Sequence, residues 1–141
     1  MKNIFQKLQA FTLIELLVVI SIIGILAALL LANFAGIRDR ADDAKNKNNL
    51  KQVQTALRMM YNDSQSYPDV AAGTACSGLG LGANVSASDI PATCRYERVS
   101  SDSFRACISL NNGADSDGPA SVTRCGGTAG VTTSPFCVCS N

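Results

Sequence analysis

The sequence predicts an α+β protein: one long N-terminal helix laid against a small antiparallel sheet that disulfides staple. Three observations carry this. Residues 11–32 form a 22-residue run with one formal charge, Glu15. Residues 37–61 contain neither Pro nor Gly and repeat small and apolar side chains at three- and four-residue steps. All six cysteines, Cys76, Cys94, Cys107, Cys125, Cys137 and Cys139, follow residue 70.

The apolar run sets the location. A helix of 22 residues is about 33 Å long, enough to cross a hydrocarbon core of about 30 Å. Its one carboxylate, Glu15, lies near the start, and the run holds no Lys, Arg or His to pair with it. A charge at mid-bilayer costs roughly 2.5–3.5 kcal/mol, and less near the interface. Glu15 therefore either stays at headgroup level or takes a partner from outside its own helix. Residues 1–10 are short and basic (Lys2, Lys7) with no acid, the pattern of a cytoplasmic leader.

A short basic leader, a small residue, then Phe11-Thr12-Leu13-Ile14-Glu15 and an apolar run closely resembles the type IV pilin family, which includes the pseudopilins of type II secretion. The resemblance covers residues 1–68. It implies a leader at 1–10, cut between Ala10 and Phe11 by a dedicated membrane peptidase, and methylation of the new amino group on Phe11. It also implies that the Glu15 carboxylate pairs with the Phe11 amine of a neighbouring subunit. Because the two lie four residues apart, the partner would be displaced by about one helical turn, roughly 6 Å. Two departures stand out. Ala10 replaces the usual Gly before the cut, so slower cleavage is expected. No Pro stands at Ala32, so no kink is encoded there, and Gly24 is the expected place for the helix to loosen. An ordinary secretory signal would need a small-residue site after the run, and Asn33-Phe34-Ala35 is a poor one. An uncleaved signal-anchor is the other competitor.

The helix is expected to continue as one element over 11–61, with 11–32 as membrane segment or filament core and 33–61 as amphipathic stem. Ile37, Ala41, Ala44, Asn48, Leu50, Val53, Leu57, Met60 and Tyr61 form the expected stripe. Arg38, Arg40, Asp43, Lys47, Lys51 and Arg58 lie opposite, with Asp43 and Lys47 at the favourable i,i+4 spacing. Asn62–Pro68 ends the helix. Residues 62–93 read as a long Gly-, Ala- and Ser-rich connection, bracketed by Cys76 and Cys94. Residues 94–141 read as the sheet. Phe104, Ala106, Ile108 and Leu110 alternate with polar neighbours, and Cys94–Ser100 is the expected partner strand. Ser121–Cys125 and Phe136–Cys139 are weaker strand candidates. A head of this size buries little core, so disulfides matter to it. Six cysteines allow 15 pairings, and a Cys-based metal site lacks tight pairs and histidine.

Charge is nearly balanced overall. Residues 33–60 are net +3 and residues 61–141 net −3, a basic stem and an acidic head. Asp115-Ser116-Asp117-Gly118 echoes part of a calcium loop, but the full spacing and distal Glu are missing, so a solvated turn is the better reading. Nucleic acid is an improbable partner for a net-acidic head without interleaved aromatics. No nucleophile–base set, P-loop or His is present, so no enzyme and no cofactor is expected. The leading expectation is a subunit that starts in the inner membrane, then polymerises with copies of itself into a surface pilus with the help of an assembly machinery. The alternatives are a type II secretion pseudopilin and a signal-anchored, disulfide-rich binding domain acting as a monomer.

Overall fold

The computed structural model describes residues 11–140, without the side chains of residues 32, 33, 35 and 83. The expected leader, residues 1–10 with Ala10, lies outside the described residues. The chain falls into two compact units, one up to Ile37 and one from Arg38 onward, and each is taken by itself.

The first unit holds the start of helix α1, Leu13–Ser64. Its apolar part, Leu13–Leu31, is long and apolar enough to cross a membrane. Every described side chain there is exposed. The backbone stays helical through Gly24 and Gly36, and a methyl group added at either would meet open space.

The second unit is the rest of α1 with a four-stranded sheet. Strands β1 (Thr74–Ala75), β2 (Arg95–Ser100), β3 (Ser103–Ser109) and β4 (Pro135–Cys139) pair antiparallel in that spatial order. The β2–β3 hairpin follows the predicted alternation. Phe104, Ala106 and Ile108 turn to one face and pack with Leu50, Val53 and Leu57 of α1. Each such aliphatic side chain stabilises the fold by about 1.5–3 kcal/mol when fully buried. Tyr61, Tyr67, Phe104 and Tyr96 continue this core as a chain of rings, with successive centroids 4.8, 4.6 and 6.1 Å apart. The Tyr96 hydroxyl donates to the Pro68 carbonyl at 3.0 Å. Burial pushes its pKa up to about 12. Helix α1 stops where Gln65 takes a positive φ of 54°, just before the predicted Tyr67-Pro68 break.

Three expectations need correction. Ser121–Cys125 is not a strand but the second half of helix α2, Asp117–Cys125. Its Val and Thr favour strands by propensity, yet tertiary contacts override them. Asp117 sits in the first turn and Arg124 in the last, both favourable to the helix dipole, and Gly126 closes the helix at φ 68°. The buried Ser121 hydroxyl accepts from the Cys137 N–H at 2.9 Å and donates to the Gly118 carbonyl at 2.6 Å. It thus satisfies a donor on the free edge of β4. Gly118 is obligatory, because an added Cβ would stand 2.8 Å from the Pro135 carbonyl oxygen.

The 62–93 connection is also more structured than expected. It holds β1 and three 3₁₀ turns, Cys76–Leu79, Leu81–Ala83 and Ala87–Asp89. Leu79 and Leu81 from these turns, and Val85 between the last two, reach the main core. Finally, the stem stripe is rotated in its first half. Ala41, Ala44 and Asn48 are exposed, and the side chain buried at that level is Asp43.

The cysteines form three pairs: Cys76–Cys94, Cys107–Cys137 and Cys125–Cys139. The first closes the structured connection, as the bracketing suggested. The second joins directly opposed residues of β3 and β4, with Cα atoms 4.1 Å apart. That is the close spacing of a non-hydrogen-bonded pair. The third ties the end of α2 to β4. Such loops, closing 14 to 30 residues, stabilise by roughly 3–4 kcal/mol each in the chain-entropy account. Replacing Cys76 and Cys94 together by Ser should destabilise the head by about 3 kcal/mol. Thermal unfolding of the detergent-solubilised full chain, followed by near-ultraviolet circular dichroism, checks this.

Candidate functional site

Helix α1 begins with a reciprocal cap. Thr12-Leu13-Ile14-Glu15 is the spacing at which a hydroxyl and a carboxylate satisfy each other's backbone donors. The Thr12 N–H donates to Glu15 Oε2 at 2.9 Å, and the Thr12 hydroxyl to the same oxygen at 2.7 Å. The Glu15 N–H returns a bond to the Thr12 hydroxyl at 3.3 Å. The box was visible in the sequence as T-x-x-E. It qualifies the expectation that nothing inside the run serves Glu15: no cation does, but Thr12 holds one oxygen. Among the described residues Oε1 receives no hydrogen bond. Phe11 lies one residue before this cap and is 81% exposed. The carboxylate is therefore held in one place at the head of an uncovered apolar helix, with one oxygen still able to accept. Phe11 and Glu15 share the start of α1, and Gly24 stands further along it. The bond from Ala10 to Phe11 involves a residue outside the described ones.

A second polar cluster lies within the second unit, and its partners were not foreseen. Asp43 was expected on the solvent side, beside Lys47. It is instead 2% exposed. Its two oxygens accept from the Asn111 and Asn112 backbone N–H groups, both at 2.8 Å. Lys47 leaves the expected Asp43 pairing for Asp115, at 2.7 Å, and Asp117, at 3.0 Å. Its ammonium also sits 5.0 Å from the Phe136 ring centroid. Asp43 and Lys47, one turn apart on α1, thus grip the loop between β3 and α2. The two aspartates weighed as calcium ligands already share a cation of the chain itself. Among the described residues no group of three or more His, Cys, Asp or Glu side chains is placed to hold a metal.

The electrostatics agree with that grip. Burial alone would lower the Lys47 pKa, but hydrogen bonds and charge from Asp115 and Asp117 outweigh it and leave it raised. The Lys47 hydrogen bond holds the Asp115 carboxyl below the usual range, against a smaller opposing effect of burial.

An apolar helix headed by a fixed carboxylate, followed by an amphipathic stem under a disulfide-stapled antiparallel sheet, is a pilin-like architecture. Residues 6–31 match the family model described as "Prokaryotic N-terminal methylation motif". The chain is 41% identical over 63 residues to the type IV major pilin protein PilA of Myxococcus xanthus, covering 45% of this chain and 29% of that protein. It is 35% identical over 91 residues to the type II secretion system core protein G of Klebsiella michiganensis, covering 64% of this chain and 59% of that one. The Escherichia coli core protein G is 40% identical over 63 residues, 45% of this chain and 43% of its own. The aligned part thus spans from under a third to just over half of these relatives. The likeness to type IV pilins and type II secretion pseudopilins read from Phe11–Glu15 holds, and the chain carries their N-terminal methylation motif.

Two outcomes follow from the stem–loop grip. Asp43→Ala leaves two buried N–H groups without an acceptor and should cost about 2 kcal/mol, and Asp43→Asn less, because one acceptor survives. Chemical denaturation of the detergent-solubilised chain measures both. The Asp115 pKa is depressed in the folded state, so its stabilisation is complete above the ordinary value of 3.8 and is lost as pH falls through the lower folded value. The Lys47 contribution is present below 10.5 and is lost as pH rises through its raised value. A melting-temperature profile from pH 2 to 6 should fall on the acid side in wild type and be flatter there in Lys47→Met.

Proposed function

We propose that the chain is a structural subunit that polymerises through α1 into a type IV pilus filament. In this reading the precursor sits in the inner membrane, with its head outside the cytoplasm. A peptidase removes the leader before Phe11, and the new amino group is methylated. Assembly moves Leu13–Leu31 from lipid into a bundle of identical helices, exchanging lipid contacts for helix packing. A pilus assembly machinery supplies the energy. No catalytic role is assigned.

One observation carries the reading: a carboxylate fixed by Thr12, with an oxygen still able to accept, heads a helix whose apolar side chains from Leu13 to Leu31 are all exposed among the described residues. An ion pair with the residue-11 amine of a neighbour would satisfy that oxygen and remove the cost of a lone charge in an apolar bundle. Since only a neighbour in one register can do so, the pair would select that register. Gly24 is the place where α1 would loosen as it enters the bundle.

The second reading is a pseudopilin of a type II secretion system. It is favoured by the 91-residue match to a core protein G, which is longer than α1 itself. Three disulfides outside the helix favour the surface fibre, which must resist unfolding. Both readings share the assembly step, and the monomeric binding domain lacks it. Glu15→Ala should reduce filaments at least tenfold while the membrane pool of protein stays at wild-type level, read by immunoblot of sheared and membrane fractions. Unchanged filaments would remove Glu15 from assembly.

A further inference from the structure

The second unit carries an unbalanced cationic groove. Lys51 and Arg58 on α1 and Arg124 on the last turn of α2 line a hollow of about 360 Å³, floored by Phe136 and Val138. No acid lines it. Among the described residues, none of these three side chains has an ion pair, whereas Lys47, Arg98 and Arg105 all do. Three like charges around one hollow repel each other unless an anion enters.

A matching anion lies on the same stem. Asp63 is exposed and has no ion pair among the described residues. It stands in the last turn of α1, which carries no basic residue. A carboxylate there faces the negative end of the helix dipole, a position that disfavours it within its own chain. Four residues earlier on the same face is Met59, 47% exposed. Met59 and Val99 are the exposed large hydrophobics described in this unit.

We infer that Asp63, with Met59 beside it, docks into the Lys51–Arg58–Arg124 groove of a second copy of this chain. The contact rests on the filament reading, in which all copies enter the membrane in the same sense. Along α1, Asp63 lies about 8 Å beyond Arg58 and about 18 Å beyond Lys51, at 1.5 Å per residue. At about 100° per residue, it points some 120–140° away from them around the helix. Donor and acceptor therefore sit on different sides of one copy and at different heights. Between parallel copies such a contact is head-to-tail; repeated, it propagates as an open helix rather than closing as a dimer. The carboxylate gains three cations, and the methionine gains cover from water.

Zero-length carbodiimide coupling tests this on the full chain, in membranes and in sheared fibres from cells mixing isotopically light and heavy protein. The expected product is an amide between Lys51 of one copy and Asp63 of another, seen as mixed light–heavy peptides. The two lie too far apart on one helix to couple within a chain. Coupling of Lys51 to another carboxylate, the chain's own C-terminus included, or no coupling, overturns the proposal. In parallel, Asp63→Lys should lower sheared fibre at least tenfold, while Asp63→Glu should keep it within about threefold of wild type. Equal loss in both variants, or loss in neither, also overturns it. If wild type itself yields no fibre, the filament reading fails, and coupling in the membrane alone decides the contact.

Discussion

The constraint that weighs most on this chain is the apolar surface of α1 between Leu13 and Leu31, where every described side chain is exposed. A helix that is apolar on all sides has two stable environments, lipid and other apolar helices. The core of the head is already taken up by Leu50, Val53 and Leu57 and the inner face of the sheet. The first unit is long and apolar enough to cross a membrane. Glu15 is the charged exception, and Thr12 holds one of its oxygens.

The second unit solves a different problem, that of a small domain with little interior. Both faces of its sheet are covered. The stem helix packs on one, and α2 with the segment around Ala129 and Val131 packs on the other, next to the Cys107–Cys137 bridge. Edge strand β4 is closed by polar contacts: Ser121 serves the Cys137 N–H, and the Gln54 side chain donates to the Cys139 carbonyl at 2.7 Å. Asp43 and Lys47 hold the loop that launches α2. These contacts all tie the later chain to the stem or to α2, so loads on the stem reach a domain fixed to it at several heights.

Much of this was legible in the sequence, for reasons that can be named. The Phe11–Glu15 motif, the unbroken apolar run and the confinement of cysteines to the later chain are one-dimensional signals. The alternation around Phe104–Ile108 reflects a period that one buried face imposes. What was missed depends on partners far away in the chain. Asp43 looks like any charged residue on a polar face, because its partners are backbone N–H groups at Asn111 and Asn112, which leave no mark on residue type. The first half of the stripe is displaced accordingly: Ala41, Ala44 and Asn48 fit the helical period but are exposed, while Leu50, Val53 and Leu57 are buried. The α2 helix was hidden by β-favouring Val122 and Thr123. The Gly126 cap is a local signal for it, whereas the Ser121 contact to β4 is tertiary in origin. The Thr12–Glu15 box is a purely local spacing, T-x-x-E, and so was fully legible in the sequence.

The most direct measurement is the N-terminal mass of this protein in material sheared from the cell surface. Fibres whose subunit begins at Phe11 with a methylated amine are the predicted result. They would join the motif, the cut and the assembled state in one sample. A mature chain beginning near Gly36, or retaining Met1, would contradict the account, because the apolar helix would then be either discarded or never released for assembly.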